Sequence, residues 1–373
     1  MRHSKKVFVS GADGMLGSHV VRELLKQGYS VKAMVQPGRE PQTILGLPKV
    51  EIVYLDLLDK EGLNTHMEDC HSCIHVAAYA RTNPARGAIF YTVNVEGTRN
   101  IALAALKAGL KRFVYVSSSN SLGFTEDKEK GGDEETAWKG DMGLDYVRSK
   151  RIAHETVLKL FREQGLPAVL ICPTFMIGQY DSGPSSGQLL VQHANNPFKF
   201  YTNGGKNFTA AKDVATAIVN AIRLGKNGEA YICGQKNLEF KEFLDLLSKV
   251  AKRPAPFLKA PAFLSILAAR LMSFVAKIRK KLPLLTPEIV RNANAKIYFD
   301  SSKAIRELKM PQSNLEQTIR EAYAWFEKYG YLTQTRYEIS RQSRRHNWFQ
   351  PWNWFHNRQK LASNGSKIGI ERA

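Results

Sequence analysis

The stretch VFVSGADGMLGSHVVRELLKQG, residues 7–28, constrains the fold more tightly than any other part of this 373-residue chain. A short β-branched and aromatic run reads as a buried strand, glycines at 11, 14 and 17 interrupt it, and an amphipathic helical pattern succeeds them. Gly11 permits a tight turn, Gly14 lets the backbone come close to a bound group, and Gly17 allows the helix to pack against the strand. A helix opening from such a turn presents free N–H groups and the positive end of its dipole, which suits a pyrophosphate. GxxGxxG alone is weak evidence. Set between a strand and a helix at the start of a chain, it predicts a dinucleotide site.

The same alternation continues downstream. Strand-like runs fall at 7–10, 30–35, 50–54, 72–77, 112–117 and 168–172, with helical patterns at 16–27, 87–108 and 145–164. Gly165 and Pro167 supply a stop for the last of these. Strands alternating with helices predict an α/β fold, a doubly wound Rossmann parallel sheet. After Pro173 the chain turns loop-rich, and shorter helical patterns return near 213–224, 241–250 and 315–329. The expected organisation is a dinucleotide-binding domain over 1–180 and a smaller, partly helical C-terminal substrate-binding lobe over 181–331, interleaved with the core. A basic aromatic tail over 332–373 reads as a flexible appendage.

Cofactor choice is read after the second strand, where an acidic residue would hold the adenine ribose of NAD. Here VKAMVQPGRE offers Gln36, with Lys32 and Arg39 nearby, which leans towards NADP over NAD because a cation can meet a 2′-phosphate. Asp56, in LDLLD after the third strand, is a candidate partner for the adenine amino group.

The formal charge of +20 is local: residues 246–287 hold nine Lys/Arg and no Asp or Glu, and the tail adds a net six positive charges. Such clustering predicts an anionic partner at one surface. An apolar basic stretch at 257–283 reads first as a helix of the substrate lobe packed on the core, with peripheral contact with an anionic membrane as the alternative, and the Trp/Phe-rich segment at 336–360 would suit the same membrane interface. With no nucleic-acid fold beside the tail, nucleic acid is not an expected partner. No apolar run is long enough to span a bilayer and the N-terminal run is too short for a signal peptide, so the expected location is cytoplasmic, with peripheral membrane contact as an addition. CHSCIH, residues 70–75, has metal-ligand letters without a second cluster and reads as a buried strand, so no metal is expected.

Tyr146 in DYVRSK is the one tyrosine of fourteen followed by lysine at the fourth position, Lys150, so the two share one helix face. Upstream, RFVYVSSSNSLG ends a strand in serines at the sheet edge where ligands bind, and YTVNVEGT carries Asn94. The ordered set GADGMLG, HVAA, NVEGT, VSSS, YVRSK and PTFMIG resembles the extended short-chain dehydrogenase/reductase family over about the first 330 residues. That resemblance implies an NAD(P)-dependent oxidoreductase in which Tyr146 exchanges a proton with the substrate oxygen and Lys150 lowers its pKa. It further implies that Ser119 hydrogen-bonds the oxygen and Asn94 holds a relay water. It extends the cofactor set to Gly11, Asp13, Gly14, Met15, Leu16, Gly17, Gln36, Arg39, Asp56, Leu57, Ala77, Ala78, Tyr146, Lys150, Pro173 and Ile177.

RFVYVSSS, PTFMIG and LPLLTPEIVRNANAKIYFDSSKAIRELKM are most similar to the 3β-hydroxysteroid dehydrogenase and dihydroflavonol reductase branch, although Cys172 replaces a common arginine and the tail is outside the pattern. The implied reaction interconverts a secondary alcohol and a ketone on a bulky, largely apolar small molecule, steroid- or flavonoid-like, in a chain that would pair as a homodimer. The alternatives are a nucleotide-sugar epimerase or dehydratase with bound NAD, and a non-catalytic, membrane-associated NAD(P) sensor.

Overall fold

The computed structural model describes residues 5–332 except 82, 83, 280–282 and 284, so the segment at 336–360 lies outside the described residues. The strands are β1 (Lys6–Ser10), β2 (Ser30–Val35), β3 (Val50–Tyr54), β4 (Ser72–His75), β5 (Arg112–Val116), β6 (Ala168–Pro173), β7 (Phe175–Ile177), β8 (Phe200–Tyr201), β9 (Gly205–Ala210), β10 (Ala230–Cys233), β11 (Lys236–Glu239), β12 (Leu258–Lys259) and β13 (Lys296–Ile297). Seven of them form one parallel sheet in the order β10-β6-β5-β4-β1-β2-β3. Chain order reverses between β1 and β4, and open α/β sheets bind ligands at the carboxyl ends of such a switch point.

Helices α1 (Met15–Lys26), α2 (Lys60–Met67), α3 (Ala88–Tyr91), α4 (Gly97–Lys107), α5 (Asp145–Gln164), α6 (Gln188–Asn195) and α7 (Ala211–Leu224) come in chain order. After them come α8 (Phe240–Ala251), α9 (Ala262–Ile278), α10 (Pro287–Asn294), α11 (Ser302–Glu307) and α12 (Leu315–Lys328). Strand alternation divides the core. Val7 and Val9 pack with Val20, Val21, Ile218 and Ile222 on the α1/α7 side, while Phe8 packs with Leu63, Ile101, Phe113 and Val157 on the α2/α4/α5 side. A second cluster of four strands has β9 paired to β7, β11 and β13, and its apolar face joins α6, α8 and α12 through Phe208, Phe243, Leu247, Ile319 and Phe326.

Two sequence expectations change. The helix read over 87–108 is broken into α3, a π-helical turn at Thr92–Glu96, and α4. Three β-branched residues crowd that turn, and its widened spacing buries Asn94 against the backbone of Tyr79. The strands read to Ala77 and Ser117 stop at His75 and Val116, where the chain leaves the sheet edge. Gly165 does end α5, in the left-handed conformation at φ 71°. A side chain there meets no neighbour within 4 Å, so only backbone strain opposes substitution. Gly165→Ala should lower stability by about 1 kcal/mol in urea unfolding and leave dinucleotide binding unchanged.

Candidate active site

Gly11, Ala77 and the start of α1 meet at the β1/β4 switch. Gly11 has φ 65°, and a Cβ on it would come within 2.8 Å of the Ala77 backbone. A Cβ on Gly17 would overlap Gly11 O and approach Ala12 Cα to 2.8 Å. Helix α1 begins at Gly14 with no side-chain cap and no acidic residue in its first turn. A backbone cradle that excludes side chains, facing an uncapped helix start through Met15 and Leu16, fits a dinucleotide pyrophosphate.

The loop after β2 is tied to this turn. Arg39 Nε lies 3.0 Å from the buried Asp13 carboxylate, Thr43 donates to Asp13 O at 3.0 Å, and Ser18 donates to Thr43 at 2.8 Å. Arg39 therefore stands at the glycine turn with part of its guanidinium exposed, and Gln36 beside it is also exposed. Lys32 does not join them. Its ammonium is buried on Asp69 (2.6 Å) and His66 O (3.1 Å), because its place within β2 turns it towards α2 rather than the carboxyl edge. Asp56 is exposed and accepts from Leu58 N–H at 2.8 Å, a local turn, while Leu57 is buried and its carbonyl accepts from Asn100. Ala77 N–H donates to Ser10 Oγ at 3.2 Å, with Ala78 half-buried next to it. Pro173 ends β6 and Ile177 lies buried on β7.

Helix α5 grips the end of β5 at successive turns. Tyr146 lies beside the Ser118 hydroxyl, Lys150 Nζ donates to Val116 O at 2.8 Å, and His154 Nδ1 meets Ser117 Oγ at 2.9 Å. The helix start is pinned as well: the Asp145 carboxylate accepts from Gly87 N–H (2.9 Å) and Tyr91 O–H (3.1 Å). Ser118, whose hydroxyl accepts from Asn120 N–H at 3.2 Å, and Ser119, at the start of a 3-10 turn over Ser119–Ser121, are both buried at this strand end. Asn94 also reaches α5. Its Oδ1 accepts from Tyr79 N–H at 2.7 Å and its Nδ2 donates to Ser149 Oγ at 2.9 Å, so it braces the loop after β4 against the helix that carries Tyr146 and Lys150.

Beneath these groups lies a polar layer that sequence reasoning misses. His75 bonds Ser10 Oγ (2.7 Å) and Thr98 Oγ1 (2.9 Å) and stacks on Tyr115, and Lys150 Nζ sits 4.6 Å from the Tyr115 ring centre. The available signal is the histidine of HVAA, which the neighbouring cysteines make look like a metal ligand. Burial drives His75 and His154 each down to about 3, so both are neutral spacers with satisfied hydrogen bonds. Burial also pushes the Tyr146 phenol up, against the opposing pull of the Ser118 hydroxyl, and pushes the Lys150 ammonium down to about 7. Desolvation is thus the first influence on both groups in the ligand-free protein.

Residues 7–234 match the model of the NAD dependent epimerase/dehydratase family. The chain belongs to that family. A Synechocystis sp. protein named "Putative dihydroflavonol 4-reductase" is 33% identical, covering 87% of this chain and 95% of its own length. "Sterol demethylase protein B" of Methylococcus capsulatus is 28% identical, covering 87% of this chain and 99% of its own length. Among solved structures, that of gox2253 superposes with a TM-score of 0.77 at 30% identity, covering 88% of this chain and all of that one. UDP-glucose 4-epimerase from Thermotoga maritima shares the fold at a TM-score of 0.70 and 17% identity, covering 87% of this chain and 99% of its own. The extended short-chain resemblance therefore holds, and the protein is an NAD(P)-dependent oxidoreductase of that type.

The Lys150 shift has a consequence for stability in the ligand-free protein. Below about pH 7 folded and unfolded states both carry the charge, and the full burial penalty applies. Between about 7 and the ordinary 10.5 the folded state has lost a proton that the unfolded state keeps, so stability rises with pH. Lys150→Met should therefore be more stable than wild type at about pH 6, on the order of a few kcal/mol, with the gap shrinking towards alkaline pH in chemical denaturation.

Proposed function

We propose that this chain is an NADP(H)-preferring reductase that interconverts a ketone and a secondary alcohol on a bulky, largely apolar substrate of steroid or flavonoid type. The observation that carries this reading is Tyr146, half-buried beside the serines at the sheet edge, on the same helix face as the buried Lys150, which is anchored on Val116 O. The names of the relatives, a dihydroflavonol reductase and a sterol demethylase protein, support the substrate class. The substrate would lie between the carboxyl edge of the sheet and the lobe of residues 181–331.

The nicotinamide, when bound, exchanges hydride with the substrate carbon. At the oxygen, the Tyr146 phenol donates its proton as the ketone becomes an alkoxide, and Ser118 donates a hydrogen bond to the same oxygen. Burial that raises the Tyr146 pKa keeps the phenol protonated near neutrality, which favours the reductive direction. Lys150 is anchored on Val116 O, where its ammonium form would stabilise the phenolate left when Tyr146 gives up its proton, until a proton from solvent restores the phenol. Asn94 positions α5 through Ser149.

Turnover of a panel of steroid, flavonoid and nucleotide-sugar substrates tests the assignment. Tyr146→Phe should lower kcat by about a hundredfold or more, with dinucleotide affinity by fluorescence titration within about twofold. Ser118→Ala should cost at least about tenfold in kcat and Ser119→Ala far less. The reverse ranking, or a Tyr146→Phe enzyme of full activity, overturns the site.

Arg39 supports the cofactor preference, since it is the cation tied to the glycine turn and Gln36 stands at the end of β2 in place of an acid. Arg39→Ala should raise KM for NADPH by about tenfold or more, the loss of one charge-assisted hydrogen bond, while leaving KM for NADH nearly unchanged. An equal rise for both would assign Arg39 to holding the loop through Asp13 instead.

A further inference from the structure

Helix α9 turns its apolar side outward. Phe263, Leu267, Leu271, Phe274 and Ile278 recur at helical spacing and are each between 62% and 69% exposed, whereas Ala269 is fully buried and Ala276 nearly so. Leu264 and Val275 widen this stripe, and Phe257 and Leu258 extend it at the approach to the helix. With 3.6 residues per turn, the large side chains share one face and the two alanines the opposite one. The helix therefore packs on its neighbours through its small side chains and offers its large ones to solvent.

The chain segment that carries this face holds charge of one sign. Arg270 and Arg279 on and beside α9, and Lys252 and Lys259 on the chain leading to it, are all exposed, and no Asp or Glu occurs between residues 246 and 287. We propose that α9 docks on the surface of an anionic lipid bilayer, lying in the plane with its apolar stripe among the acyl chains and its basic side chains at the phosphates. Among the described residues no helix is long and apolar enough to cross a membrane, so α9 rests on the bilayer rather than spanning it. Charge argues for lipid over the other occupants of such a face. A second copy in a two-fold contact would set the same basic segment against itself, and the chain beyond Leu332 is net positive as well.

The helix that carries the docking face connects to the start of the Tyr146 helix through one intervening helix. Helix α9 packs on α10, where Glu288 abuts Gly143, three residues before Tyr146. An apolar substrate dissolved in the bilayer would thus meet the enzyme at a helix linked to its working edge, a consequence that rests on the proposed function; the docking itself does not.

Flotation of the full-length protein with vesicles tests the proposal, using phosphatidylcholine alone and phosphatidylcholine with phosphatidylglycerol. The protein should float with the anionic vesicles, release in high salt, and stay behind with the neutral ones. Leu267→Asp/Leu271→Asp/Phe274→Asp should lose flotation by about tenfold or more, with unaltered dinucleotide binding reporting an intact fold. Arg270→Glu/Arg279→Glu should weaken it with no change to the apolar face. Failure of the wild type to float, undiminished flotation of the triple variant, or a wild-type dimer that the triple variant dissociates would each overturn the proposal. None of these readouts depends on turnover, so a failed substrate panel leaves the test intact.

Discussion

The grip of α5 on the end of β5 is the contact around which the site is organised. Tyr146, Lys150 and His154 stand four residues apart on one helix face, and each meets the strand end or the serines just beyond it. A helix held at successive turns cannot rotate without breaking all of these bonds at once. That rigidity is what an acid or base needs if its hydroxyl is to stay within hydrogen-bonding reach of a reacting oxygen. The cost is the burial of an ammonium and two imidazoles. The imidazoles stay neutral, and the ammonium is brought near its titration point at neutral pH.

The glycine turn is the second fixed point, and it depends on the sheet order. Gly11 follows β1 and Ala77 follows β4, and only the reversal of strand order at β1/β4 makes them neighbours. Their backbones come too close for a Cβ on Gly11, and the start of α1 closes the other side. Cradle and helix face share one sheet edge because both β1 and β5 end there. Ser10, His75 and Tyr115, at or near the ends of β1, β4 and β5, link the two centres through a buried polar layer rather than an apolar one.

Much of this is legible in the chain. The period of the strands and helices, the glycine spacing and the Tyr146/Lys150 pair are local patterns, and local patterns survive folding because they are set by backbone geometry and side-chain spacing. The misreadings all concern direction or distance. Lys32 lies near Gln36 in sequence, yet its salt bridge with Asp69 crosses between elements. Ser118 and Ser119 are adjacent and chemically alike, and their spacing from Tyr146 does not by itself separate them, whereas the turn at Ser119–Ser121 gives them different backbone settings. The π-turn at Asn94 is stabilised by hydrogen bonds to Tyr79 and Ser149 that no helical periodicity encodes. The short strands β7, β11 and β13 gain their identity by pairing with β9, so two to four residues carry no independent signal.

By itself the sequence determined the class of fold, the glycine turn and the placing of Tyr146 and Lys150 on one helix face, because each is set by spacing along the backbone. Tertiary structure alone decided that Lys32 turns away from the glycine turn while Arg39 stands at it, and that the apolar face of α9 points outward rather than into the core. Those outcomes depend on what packs against each side chain. The same amphipathic pattern can bury either face of a helix until its neighbours are in place.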